Sequence, residues 1–171
     1  MRRLRAGLTI LELFIAMAVI LLLAVFIFPI FAPMGARHSA IKAHCLSNIK
    51  QVNLALLMYQ GDFSERMPPA AAWVPSTYPY TKNTSVYRCP VAFKADPTAY
   101  GYALNDLTCG RDLSKEKHPE KVVAVFESSN LRINAHDALA SIMKPGRHSE
   151  SSIYGFLDGH AKSFKDGSNL P

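Results

Sequence analysis

Cysteine is scarce in this 171-residue chain: Cys45, Cys89 and Cys109 are all there is. No two of them form a C-x-x-C pair, and their spacing fits no zinc-finger pattern. The chain also lacks a glycine-rich phosphate loop, a dinucleotide fingerprint and a Gly-x-Ser-x-Gly elbow, so it offers no basis for an enzyme. Lysine and arginine form no dense stripe interleaved with aromatics, which a nucleic-acid surface would need, so no nucleic-acid partner is expected. The formal net charge is +6, but Arg2, Arg3 and Arg5 supply half of that excess within seven residues that contain no acid.

Charge is nearly absent from the segment that follows. Leu8 to Phe28 reads LTILELFIAMAVILLLAVFIF, with Glu12 as its one charged residue. As a helix it spans about 30 Å, one hydrocarbon core. Three arginines precede it and no basic residue follows until Arg37, so the amino terminus is expected in the cytoplasm and the rest outside. A cleaved secretory signal explains the apolarity but has a shorter core. A plain single-span anchor explains the length but not Glu12, since a carboxylate in a span calls for a partner.

The segment Arg5-Ala6-Gly7-Leu8-Thr9-Ile10-Leu11-Glu12 resembles the prepilin leader of type IV pilins and type II secretion pseudopilins. The resemblance implies cleavage by a prepilin peptidase after Gly7 and N-methylation of Leu8. It also implies that Glu12 answers the terminal amine of a neighbouring subunit. Pro29 matches a proline where pilin helices bend or melt on packing into a filament; an ordinary span end, punctuated by Pro33 and Gly35, explains it equally. Glu12 near the interface, with its carboxylate reaching water, is the bland alternative. The implied partners are prepilin peptidase, other pilin or pseudopilin subunits and the inner membrane. The competing function is a single-pass, membrane-tethered extracytoplasmic binding module that does not polymerise.

Beyond Gly35, Ile41, Cys45, Ile49, Val52, Leu56 and Tyr59 recur at spacings of 4, 4, 3, 4 and 3, one face of an amphipathic helix over 36–61. Asn48 falls among the polar positions off that face. The segment from Ala70 to Gly110 reads as loop-rich, with Trp73 and several tyrosines that are expected to bury one face against a sheet. Lys121 to Phe126 (KVVAVF) reads as a strand, and Ser152–Leu157, Asp158-Gly159 and His160–Phe164 as a hairpin about a two-residue turn. The expected fold is α+β: a long N-terminal helix, with a membrane half and an amphipathic half, packed on a small antiparallel sheet. The expected organisation is a leader over 1–7, an assembly half over 8–34 and an exported domain over 35–171.

His148 and Asp158-Gly159 form a His-x9-Asp-Gly pattern that resembles a large group of bacterial pilin-like proteins with the same leader. Cys45-Leu46-Ser47-Asn48-Ile49-Lys50-Gln51 and Tyr87-Arg88-Cys89-Pro90 resemble segments of that group. The resemblance implies a Cys45–Cys89 disulfide with Cys109 free; Cys89–Cys109, closing a shorter loop, is the rival. His148, Asp158, His160 and Asp166 were they to converge would suit a metal, yet structural roles are expected and no metal or other cofactor. Gly159 would supply positive φ, Asp158 would accept from nearby amides, and His148 would bond back to that turn.

Overall fold

The computed structural model describes residues 9–27, 34–168 and 170. Gly7, Leu8 and Pro29 lie outside the described residues. The chain separates between Arg37 and His38 into an N-terminal unit and a compact domain.

The N-terminal unit carries α1 (Ile10–Ile27), apolar on all sides and exposed at every residue. A helix apolar all round seeks a nonaqueous surrounding on every face. It is the one helix among the described residues that is long and apolar enough to cross a membrane. Its start is a capping box. Thr9 N and Thr9 Oγ1 each donate to Glu12 Oε2 at 2.9 Å, and Glu12 N donates to Thr9 Oγ1 at 3.3 Å, so two otherwise orphaned helix-end amides are satisfied reciprocally.

Helix α2 (Met34–Asp62), which belongs to the domain from His38 onward, buries Cys45, Ile49, Val52 and Leu56 along one face. Tyr59 is half-buried and Ile41 exposed, so the apolar stripe is engaged over less of its length than its spacing predicts. Ile41 borders an open groove instead of lying beneath the domain. Asn48 is buried, contrary to its polar placement, because its Nδ2 donates to Arg88 O at 3.1 Å. The helix ends where Ser64 and Glu65 take positive φ and Glu65 N returns to Gln60 O at 2.8 Å.

The loop-rich expectation for 70–110 needs correction. The segment holds α3 (Trp73–Thr81), α4 (Pro90–Ala95), 3-10 turns at Ala70–Ala72 and Thr84–Tyr87, and strand β1 (Tyr102–Asn105). Pro75 sits in the first turn of α3, where a missing N–H costs little. The first turn gains a distant acceptor, since Val74 N donates to Asn134 Oδ1 at 2.9 Å. Trp73, Tyr87 and Tyr102 are buried, and Trp73 Nε1 donates to Ala135 O at 2.9 Å.

The remaining strands are β2 (Val123–Glu127), β3 (His136–Asp137), β4 (Ser151–Phe156) and β5 (Ala161–Lys165), in the order β3-β1-β2-β4-β5. The sheet is mixed: the β1/β2, β2/β4 and β4/β5 pairs are antiparallel and the short edge pair β1/β3 is parallel. One core layer joins Cys45, Ile49, Val52 and Leu56 of α2 to Trp73, Tyr87, Tyr102, Leu104, Val125 and Ile153. The second gathers Ala103, Phe126, Tyr154 and Phe156 on the other side. The chain is thus an α+β protein with a long helix on a small sheet. The helix meets β4 closely at Gly155, against the Asn53 side chain. Asn53 Nδ2 donates to Phe156 O at 3.2 Å and His160 O at 3.0 Å, fastening α2 to the hairpin.

That hairpin turns differently from the expected two-residue form. Gly159 N donates to Phe156 O and Phe156 N to His160 O, both at 2.9 Å, so three residues, Leu157 to Gly159, make the reversal. Gly159 supplies its positive φ, 92°, at the third loop position, the place of a glycine bulge.

Candidate functional site

Four buried side chains from four separate segments meet beneath α2. Cys45 comes from the core face of α2, and Cys89 from the residue that leads into α4. Glu127 is the last residue of β2, and His148 lies in the loop before β4. The local backbone makes this convergence possible. Gly101, at φ 87°, sits where a Cβ would approach the Cβ atoms of Cys89 and Ala92 to 3.1 and 3.2 Å. Cys89 N donates to Tyr100 O at 2.7 Å, and Asn48 ties the Arg88 carbonyl to α2. The His148 loop is held by Arg147, which donates to Gly101 O and to Ser128 O, and by Asp166, whose Oδ2 accepts from Gly146 N at 2.7 Å.

The ligand-type atoms of the four residues all lie within 4.8 Å of one another. Cys45 Sγ and Cys89 Sγ are 3.5 Å apart, and both residues are thiols. Cys89 Sγ is 3.7 Å from Glu127 Oε1, and His148 Nε2 donates to that same oxygen at 2.9 Å. Ile153 N donates to Glu127 Oε2 at 2.9 Å, so both carboxylate oxygens are engaged. Both cysteines are 0% exposed, and the Glu127 and His148 side chains 0% and 2%.

Enclosure reshapes the titration of the group. The Cys89 thiol is lowered to about 4, first by its hydrogen bond with Cys45 and, against the cost of burial, by His148 and Arg147. The same Cys45–Cys89 bond, with burial, holds the Cys45 thiol far above its ordinary value. Burial works against the His148 imidazolium, but Cys89 and Glu127 outweigh it and raise His148 to about 9. Burial raises the Glu127 carboxyl, and His148 offsets part of that. The buried Tyr102 hydroxyl faces the Cys45 thiol and has no other hydrogen-bond partner among the described residues.

The residues singled out near the carboxy terminus do not converge. His148 bonds Glu127 and not the Asp158-Gly159 turn, because its loop folds inward against β2 and β4. Asp158 accepts from His160 N at 3.1 Å and pairs with His160 Nδ1 at 2.6 Å on the turn itself, and Asp166 serves the His148 loop. Cys109 lies apart, its thiol donating to Asn105 O at 3.3 Å. Glu127 was missed by sequence reasoning; the available signal was an acid closing the otherwise apolar strand VAVFE. Chemically, two sulfurs, an imidazole and a carboxylate can hold a metal ion, and the two adjacent thiols can also be oxidised to a disulfide. Comparison with protein-family models, curated proteins and solved structures finds no match to this chain.

Proposed function

We propose that the chain is a structural subunit, pilin or pseudopilin, of a type IV pilus or type II secretion-like filament. The observation that carries this reading is α1: apolar on every face, exposed along its length, and bearing one carboxylate at its first turn. In this reading prepilin peptidase cuts between Gly7 and Leu8 in the inner membrane. The new amine is methylated and stays charged near neutral pH. Helices like α1 then bundle, and in that low-dielectric setting the amine of one subunit and Glu12 of another attract far more strongly than in water. The domain from His38 onward stands outside the cytoplasm and covers the filament.

The Thr9–Glu12 capping box favours a second reading, in which Glu12 merely starts the helix of a single-pass tether carrying an extracytoplasmic binding module. Glu12→Gln beside the wild-type chain separates the two. Glutamine serves a capping box as glutamate does, but carries no charge. The filament reading expects Glu12→Gln to insert normally yet fail to enter sheared filaments, detected by blotting. The tether reading expects neither the wild-type chain nor Glu12→Gln in sheared filaments, and wild-type-level incorporation of Glu12→Gln would remove the role given to Glu12.

A further inference from the structure

We infer that Cys45, Cys89, Glu127 and His148 form a closed structural zinc site. The donors are the types zinc takes, and sulfur-rich tetrahedral sets favour it over calcium or magnesium, which want oxygen. The spacing fits. A tetrahedral zinc with bonds of about 2.3 Å to sulfur and about 2.0–2.1 Å to nitrogen or oxygen places sulfurs about 3.8 Å apart and a sulfur about 3.6 Å from an oxygen. Here those separations are 3.5 and 3.7 Å. His148 Nε2 and Glu127 Oε1, 2.9 Å apart as a hydrogen-bonded pair, need to part by only about 0.5 Å to accept the ion between them.

The surroundings resemble the outer shell of such a site. Ile153 N fixes the second oxygen of Glu127. The buried Tyr102 hydroxyl faces Cys45, has no other hydrogen-bond partner among the described residues, and would donate to a zinc-bound thiolate. A groove lined by Ile41, Pro90, Val91 and Arg147 runs up to His148 and offers an access route. All four donors are buried, which leaves no open position for substrate, so the role is to staple α2, the α4 segment, β2 and the β4 loop together. A Cys45–Cys89 disulfide is the competing use of the two sulfurs, and it would leave the Tyr102 hydroxyl without a thiolate to donate to.

The test uses the full chain, purified in detergent under reducing conditions. Elemental analysis is expected to find one zinc per chain. After chelation, cobalt(II) is expected to restore one equivalent, with thiolate charge-transfer and tetrahedral visible bands. Tyr102→Phe removes only the hydroxyl oxygen and should fold, yet weaken zinc about 10–100-fold. Cys109→Ser and Asp158→Asn should bind as wild type. The inference is overturned if the reduced wild-type chain takes up no cobalt, or takes it up without thiolate bands. It is also overturned if non-reducing peptide maps of protein isolated with its metal content intact join Cys45 to Cys89.

Discussion

Gly155→Ala probes the joint between helix and sheet. A Cβ at Gly155 would collide with Asn53 Nδ2 and lie 2.6 Å from its Oδ1 and 2.7 Å from its Cγ, well inside contact distance. The helix has little room to retreat, because Ile49, Val52 and Leu56 are packed on either side of Asn53 in sequence. Asn53 must therefore swing away and surrender two hydrogen bonds, each worth about 1 kcal/mol, in addition to overpacking strain. The expected loss is about 2–4 kcal/mol, or about 1–2 M in the urea midpoint for a slope near 2 kcal/mol/M. Trp73 is the single tryptophan and is buried in the domain, so its fluorescence follows this unfolding in the full chain without interference from α1. Asn53→Ala alone should cost about 1–3 kcal/mol, since the Phe156 and His160 carbonyls keep their donors Gly159 N and Phe156 N. In the double variant the new methyl occupies space that the amide vacated, and the two losses should fall short of additivity by about 1–3 kcal/mol. A Gly155→Ala chain within about 0.5 kcal/mol of wild type, or a strictly additive pair, would refute the reasoning.

Gly159→Val should destabilise the domain by about 2–4 kcal/mol in the same urea assay, because a β-branched residue is forced to positive φ and its Cβ meets Leu57 Cδ1 at 2.7 Å; a loss within the range of ordinary surface changes would contradict the turn geometry. Burial, aided by Asp106, holds the Cys109 thiol up at about 11, so its alkylation rate in the folded chain should climb about tenfold per pH unit from pH 7 to 10. A plateau near pH 8.5 would show an ordinary exposed thiol instead. Thr9→Val should remove the capping box and fray the start of α1, seen as lower helicity in micelles, while leaving the urea midpoint reported by Trp73 unchanged; a shifted midpoint would mean the two units depend on each other.

Periodicity and turn chemistry made much of the fold legible. The apolar spacing from Cys45 to Leu56 marked the buried face of α2, and Asp158-Gly159 marked the hairpin, because both signals are local. The turn length was misjudged because Asp-Gly also suits a three-residue loop when the glycine sits third. Helix α3 was hidden by Pro75 and Pro79, two breakers in nine residues, and by its distant acceptor, the Asn134 Oδ1 that receives Val74 N from sixty residues away. The Thr9-x-x-Glu12 capping box was readable and was overlooked beneath the charge of Glu12. The candidate site was only half visible. Cys45, Cys89 and His148 were singled out, but their meeting with Glu127 depends on the pairing of β2 with β4, a contact that no sequence spacing encodes.

The mature amino terminus tests the central proposal most directly. Protein extracted from membranes of the producing cell, digested and analysed by mass spectrometry, is predicted to yield a first peptide that begins at Leu8 with a methylated amine, leaving the three arginines behind in the leader. A chain that retains Met1, or one that begins after Ala36, would contradict the filament-subunit account.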